Sequence, residues 1–257
     1  QSVLFTDIRS FTTISEGLEA DELSELMGEY LTPMTQIVHE SEGTIDNYIG
    51  DAVMAFWGAP VFHPHHADQA VGAGLAMLSA LDVLNEDFEK KGWPEIHIGV
   101  GVNTGVMSVG NMGSRFRKAY TVLGDAVNLG SRLEGITKQY GVDMVVSEDT
   151  AHSAGRFHYR ELDTVRVKGK EKGVTILEPL GLEEELSEEE IKRADDFSHV
   201  LYLYREQQWD EAEQALNTLL EDEPDCFLYK LYIDRIKHFR ENPPGEDWDG
   251  VFTFKTK

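Results

Sequence analysis

Short apolar runs and longer helical periods follow one another along the first 180 residues. Apolar side chains recur every three to four positions over 19–41, 66–91 and about 125–140, which predicts three helices, the first kinked or restarted near Pro33. Apolar runs bounded by turn residues predict strands at 2–6, 119–123 and near 142–146, 164–168 and 173–178, with a hairpin over 43–57 and two short strands within 96–110. The order strand-helix-strand-strand-helix-strand predicts an α/β (α+β) fold, a ferredoxin-like βαββαβ sandwich with additions.

The pattern changes after residue 180. An acidic run from Glu183 to Glu190 is followed by helical periods over 191–240, in which Trp209, Ala212 and Pro224 are spaced faintly as in a tetratricopeptide unit. We therefore predict two domains, 1–180 and an acidic helical extension over 181–257. One helical hairpin cannot bury its own apolar face, so the extension is expected to dock on the main domain or on a partner.

Composition narrows the function classes. The chain has 257 residues, 41% of them hydrophobic, and a formal net charge of −24, which argues against nucleic acid as the main partner. A single cysteine, Cys226, fits a reducing compartment. No apolar run approaches the roughly 18 residues of a membrane span, and no signal peptide is present. We expect a cytoplasmic catalytic part. The chain opens almost inside a strand, which suggests a fragment of a longer protein whose upstream regulatory region could be membrane-attached.

Two aspartates carry the strongest chemical signal. Asp7 ends one apolar run, and Asp51 lies in the turn of the predicted hairpin. If the strands pair, the two carboxylates meet at one edge of the sheet and repel unless cations lie between them. Carboxylate oxygens suit Mg²⁺ or Mn²⁺, and two such ions serve phosphoryl-transfer chemistry. Asn128 and Arg132, one helical turn apart, complete a predicted site for a nucleoside triphosphate.

At these motifs the chain resembles the class III nucleotidyl cyclases, the family of adenylate and guanylate cyclases of bacterial type. The resemblance covers about residues 2–180. Its motifs are Phe5-Thr6-Asp7-Ile8-Arg9-Ser10-Phe11-Thr12, Ile49-Gly50-Asp51-Ala52-Val53-Met54, Asn103-Thr104-Gly105, Leu123-Gly124-Asp125-Ala126-Val127-Asn128, Ser131-Arg132-Leu133-Glu134 and Val167-Lys168-Gly169-Lys170.

The resemblance implies a reaction in which the ribose 3′-hydroxyl attacks the α-phosphate and pyrophosphate leaves. It implies that Asp7, Asp51 and the Ile8 carbonyl hold two metal ions, Mg²⁺ or Mn²⁺. It assigns the catalytic roles to Asn128, which would orient the ribose, and Arg132, which would meet charge on the α-phosphate. The implied nucleotide contacts are the amides of Ile8 to Thr12, with Phe11 and Thr12 at the helix start, and Lys168 or Lys170 at the terminal phosphates.

Family geometry also implies a head-to-tail homodimer. The aspartates of one subunit meet Asn128 and Arg132 of the other, so a monomer is expected to be inactive. Regulation is expected to act on the relative orientation of the two subunits.

Base choice in the family depends on the positions of Asn47 and Thr121. Thr121 is typical of adenylate cyclases, which usually pair it with a lysine, whereas guanylate cyclases usually carry Glu and Cys. Asn47 fits neither set: its amide can donate to adenine N1, but more weakly than a charged lysine. We therefore predict ATP as substrate, with reduced affinity.

Alternatives stay open at this point. The chain could be a guanylate cyclase, or a nucleotide-binding regulatory module with weak or no turnover, marked by Asn47. It could also be an interaction protein whose helical tail carries the main function.

Overall fold

A computed structural model describes residues 1–166, 172–245 and 247–253. The chain divides into two compact units: Gln1–Thr137 with Asp143–Gly155, and Lys138–Val142 with Arg156–Lys257. The domain boundary that the sequence predicts, at residue 180, stays a prediction. The compact units divide the chain differently, because the second unit contains the strands after residue 156 together with the C-terminal helices.

The first unit contains the predicted sandwich. Its elements, in chain order, are β1 (Ser2–Ile8), α1 (Phe11–Glu16), α2 (Ala20–Glu40), β2 (Thr44–Ile49), β3 (Ala52–Trp57), α3 (His66–Lys91), β4 (Ile98–Thr104), β5 (Ser108–Gly113), β6 (Lys118–Leu123), α4 (Asp125–Tyr140), β7 (Met144–Ser147) and α5 (Glu148–Ser153). The last turn of α4, from Lys138, belongs to the second unit. Helix α2 runs through Pro33 without a restart, and the alternative, a kink at Pro33, stays a prediction.

The sheet of the first unit has the order β7-β4-β1-β3-β2, and β5 pairs with β6 separately. Strand β1 is antiparallel to both neighbours, with Phe5 opposite Met54 on β3 and Gly101 on β4. The order β4-β1-β3-β2 is that of the ferredoxin-like fold, and β7 is an addition parallel to β4. The predicted fold class is confirmed.

Alternation along β1 gives the sheet two buried faces. Leu4 and Thr6 lie on one face, where Thr6 Oγ1 is 3.3 Å from the Tyr30 hydroxyl of α2. Val3 lies on the other face, in a cluster with Met54, Phe56, Met107, Val122 and Val127. Since Asp7 is an even number of residues from Val3, it shares this second face, and so does α4.

Helix α3 is the one helix, among the residues that the structure describes, long and apolar enough to cross a membrane. Its contacts with β1, β3 and β4, and its buried Val71, Met77 and Phe88, are those of a core helix. Length and composition alone are therefore weak evidence for a span here.

The second unit combines strands and the C-terminal helices. Its elements are β8 (Phe157–Arg166), β9 (Val174–Leu182), α6 (Glu188–Arg205), α7 (Trp209–Asp222), α8 (Phe227–Glu241) and the short β10 (Phe252–Thr253). Strand β8 starts well before the predicted 164 and pairs antiparallel with β9, while β10 adds in parallel to its end. Around Tyr204 the rings of Trp209, Tyr232 and Trp248 lie at centroid distances of 5.5, 5.0 and 5.5 Å.

Candidate active site

Asp7 and Asp51 meet at one end of the first unit's sheet. Asp7 is the penultimate residue of β1, and Asp51 lies in the turn between β2 and β3, where Gly50 adopts φ +67°. Antiparallel pairing of Thr6 with Val53 brings the end of β1 to this turn. The Ile8 amide donates a hydrogen bond of 3.0 Å to Asp51 Oδ2, and the Asp7 carboxyl is within hydrogen-bonding reach of Asp51. The sequence-predicted pair is therefore brought together.

The pair is electrostatically costly without a cation. The surrounding protein displaces water from Asp7, and the adjacent Asp51 adds a shared hydrogen bond and repulsion, so the pKa of Asp7 rises to about 7. A divalent cation bound by both carboxylates would relieve this repulsion.

The donor set fits a hard divalent cation. Across the described residues, no three His, Cys, Asp or Glu side chains are arranged to hold a metal. Two carboxylates and the Ile8 carbonyl would therefore share the ion with water and phosphate oxygens, an arrangement that Mg²⁺ commonly adopts.

Glu134 is a third carboxylate near the pair, and the sequence reasoning gave it no role. It lies on α4 above β4: a Cβ on Gly99, the residue opposite Asp7, would be 2.6 Å from Glu134 Oε1. Displaced water and the charges of Asp7 and Asp51 raise its pKa to about 7, against an opposing effect of Arg9. The one sequence feature that could have indicated a role for Glu134 is its position in the family motif, two residues after Arg132.

These shifts predict a pH dependence of the metal-free protein. A carboxyl whose pKa is raised by folding binds its proton more tightly in the folded state, so stability falls as pH rises from the unfolded pKa toward about 7. Urea unfolding in chelator should show that the wild type loses stability relative to Asp7→Asn between pH 5 and pH 8. The expected loss is about 1 kcal/mol once solvent screening is allowed for, and Mn²⁺ should restore it. A wild type that gains on the variant over this range would contradict the repulsion.

The turn from β1 into α1 presents backbone amides beside the pair. The amides of Ile8 and Arg9 are already bonded, to Asp51 Oδ2 and to the His97 carbonyl. First-turn amides have no acceptor within their own helix, so the Phe11 and Thr12 amides could donate to a phosphate oxygen. Of the predicted stretch from Ile8 to Thr12, the second half is thus the better anion site.

Helix α4 is pressed against the sheet through glycines. A Cβ on Gly101 would lie 2.2 Å from the Glu134 amide nitrogen, and one on Gly130 would lie 2.8 Å from Val3 Cγ1. Any side chain at these two positions would force the helix away. On the outer side of α4, Asn128 is exposed and Arg132 is half-buried.

Within one chain, α4 keeps Asn128 apart from the aspartate pair. The start of the helix is fixed at the opposite end of β1, where Asn103 Nδ2 donates to the Ala126 carbonyl at 2.7 Å and Asn103 pairs with Val3. Asn128 precedes Glu134 by six residues, about 9 Å along the axis. Arg132 precedes Glu134 by two residues and therefore points to a different side of the helix.

The two predicted base-contacting positions lie on neighbouring strands. A bulge in β2 between Ile45 and Asn47 turns Asp46 toward β6, where Asp46 Oδ2 accepts the Val122 amide at 3.4 Å. Asn47 and Thr121 are the next residues along each strand, and Asn47 is exposed. Asp46, unassigned from sequence, thus links the two strands. Lys168 and Lys170 lie outside the described residues.

The ferredoxin-like sheet thus carries a carboxylate pair at one end, beside the turn from β1 into α1. Residues 1–177 match the family model described as the adenylate and guanylate cyclase catalytic domain. The chain belongs to this family, and the resemblance inferred from its motifs is confirmed.

Three known proteins give the scale of the similarity. The chain is 37% identical over 182 residues to adenylate cyclase 1 of Rhizobium meliloti; the match covers 70% of this chain and 27% of that relative, so the chain spans about a quarter of the relative's length. It is 35% identical to the adenylyl cyclase CyaB from P. aeruginosa, with a TM-score of 0.67 over 72% of this chain and 96% of that chain. A guanylyl cyclase structure matches at 34% and the same TM-score, covering 72% and 94%. The chain is thus similar both to proteins named adenylate cyclases and to a protein named a guanylyl cyclase.

Proposed function

We propose that this chain is the catalytic domain of an adenylate cyclase that converts ATP to 3′,5′-cyclic AMP and pyrophosphate for intracellular signalling. The observation that carries the proposal is the meeting of Asp7 and Asp51 beside the turn of Phe11 and Thr12. Its partner in the assembly is a second copy of the chain, and its single free cysteine, Cys226, supports a cytoplasmic location.

The residues divide the chemistry among them. Asp7, Asp51 and the Ile8 carbonyl would hold two divalent cations, which would lower the pKa of the ribose 3′-hydroxyl and neutralise the triphosphate. The amides of Phe11 and Thr12 bind phosphate oxygens, with Lys168 or Lys170 as the cationic contact. Arg132 stabilises charge that develops on the α-phosphate, and Asn128 orients the ribose.

The separation of the two groups within one chain supports a site shared between two copies. Asn128 belongs to the far end of β1 from Asp7, and both α4 and Asp7 lie on the same face of the sheet. A head-to-tail homodimer joins the aspartate pair of each copy to Asn128 and Arg132 of the other, which gives two equivalent sites.

Product formation from ATP and from GTP, with Mn²⁺ and then Mg²⁺, tests the proposal directly. We expect cyclic AMP from ATP, and little cyclic GMP, at protein concentrations where the chain is dimeric. Cyclic GMP as the main product would overturn the assignment of Thr121 to adenine. Nucleotide that binds without turnover would instead identify a regulatory module.

Base selectivity should respond to one substitution. Asn47→Lys replaces a neutral donor by a charged one, and is expected to raise kcat/KM for ATP by about tenfold. The matched control is GTP with the same variant, because an added positive charge would attract either triphosphate equally. A parallel gain for both nucleotides would show that Asn47 does not face the base.

A further inference from the structure

The last turn of α4 ends in a buried hydrogen-bonded triangle of the second unit. The Tyr140 hydroxyl donates to Asp163 Oδ2 on β8 at 2.6 Å. From α8, Arg235 donates to the same Oδ2 at 2.6 Å through Nη1 and to the Tyr140 hydroxyl at 3.2 Å through Nη2. Each of the three groups thus contacts the other two.

The side chains of the triangle are buried, which restricts their movement. Tyr140 and Asp163 are 0% and 1% exposed, and the second Asp163 oxygen accepts the Thr164 amide at 2.7 Å. Burial, followed by the charge of Asp163, raises the pKa of Tyr140 well above its ordinary value, so the hydroxyl keeps its proton. Since a buried charge left without its partner is strongly unfavourable, the three side chains hold one arrangement.

Phe252, near the C-terminus, packs against the same triangle. The Arg235 guanidinium lies 4.0 Å from the ring centroid of Phe252, and Phe252 pairs with Val165 at the end of β8. Residues 167–171 follow this end of β8 in sequence and include Lys168 and Lys170, outside the described residues. The triangle therefore connects α4 with the strand that leads to the two lysines.

We propose that Tyr140, Asp163 and Arg235 are positioning residues of the cyclase reaction. They would act by fixing the last turn of α4, the continuous helix that carries Asn128 and Arg132. This inference rests on the proposed function for its catalytic consequence, while the hold on α4 can be measured without it.

The second unit offers a matched control. Tyr229 donates to Glu223 at 2.9 Å and receives a hydrogen bond from Arg160 at 3.4 Å, and Tyr229 is also fully buried. This second set of tyrosine, carboxylate and arginine contains no residue of α4. Tyr140→Phe and Tyr229→Phe thus remove the same hydroxyl, in one case from beside the buried Asp163 and in the other from beside the partly exposed Glu223.

The test compares both variants in the full chain. Tyr140→Phe is expected to lower kcat by about tenfold, the factor that one lost hydrogen bond is typically worth, with KM for ATP unchanged. Amide hydrogen exchange in the peptide over 125–140 should accelerate by a similar factor. Tyr229→Phe should change neither quantity. Arg235→Lys keeps the positive charge beside Asp163 but loses the two-pronged guanidinium donor. It should lower kcat and accelerate exchange as Tyr140→Phe does, and it replaces Tyr140→Phe in the test if that variant does not fold.

Equal effects of the two tyrosine variants would overturn the inference, because general loosening of the unit would then explain them. Unchanged kcat and exchange in Tyr140→Phe would also overturn it. If the wild type makes no cyclic nucleotide, the proposed function fails, and the exchange comparison alone decides whether the triangle holds α4.

Discussion

Asp51→Asn is expected to lower the rate of cyclic AMP formation by about a thousandfold at saturating Mn²⁺ and ATP. The amide keeps the size of the side chain and an oxygen that can accept the Ile8 amide, so the turn retains its hydrogen bond. What disappears is the charge that, together with Asp7, would hold the cations of the proposed mechanism. The rate is measured with purified dimeric protein against the wild type.

The same substitution should not destabilise the metal-free protein. Burial is the largest cause of the raised pKa of Asp7, and Asp51 adds to it through a shared hydrogen bond and repulsion, so neutralising Asp51 is expected to increase the free energy of unfolding at pH 8, by less than about 1 kcal/mol after solvent screening. Loss of activity with a gain in stability separates a metal ligand from a residue that merely supports the fold.

Asp87→Asn is the matched control for this variant. Asp87 lies exposed on α3, where it pairs with Lys90 at 2.7 Å. The control should keep the wild-type rate. An Asp51→Asn protein with more than a tenth of that rate would contradict the two-cation mechanism.

Mixing two inactive variants is expected to restore activity. Asp51→Asn and Arg132→Ala each damage both sites of a homodimer. In a mixed dimer, one site receives both defects, and the other receives Asp51 from one copy and Arg132 from the other, both intact. If half the dimers are mixed and each has one working site, the mixture should reach about a quarter of the wild-type rate, from a background near zero.

The control for the mixing experiment combines Arg132→Ala with Asn128→Ala. These two residues come to a site from the same copy, so no mixed dimer contains an intact site. This pair should stay inactive while the first pair recovers. Recovery of both pairs, or of neither when subunit exchange is verified, would contradict a site shared between two copies.

Local pattern was enough to predict the parts of the fold that depend on short-range sequence. The helical period over 66–91 coincides with α3, and the apolar runs around Asp7 and Asp51 identify the strands that bring the pair together. The family motifs predicted the order of the strands within the sheet, which periodicity alone does not determine.

Features that depend on distant residues escaped prediction. Tyr140 and Arg235 are 95 positions apart, and neither side chain alone distinguishes a surface group from a buried triangle. The bulge that turns Asp46 toward β6 follows from a register shift between Ile45 and Asn47, which alternation does not reveal. The raised pKa of Glu134 comes from burial of its carboxyl and from the charges of Asp7 and Asp51, which are distant from it in sequence.

Two glycines at the contact between α4 and the sheet limit how the activity of this domain can be regulated. With Gly101 against the Glu134 amide and Gly130 against Val3, sliding the helix by one turn would drive side chains into positions that admit only hydrogen. These contacts oppose movement of Asn128 along its own sheet. In the proposed homodimer, we therefore expect an activating signal to rotate whole subunits, so that the rate depends on the angle between the two copies.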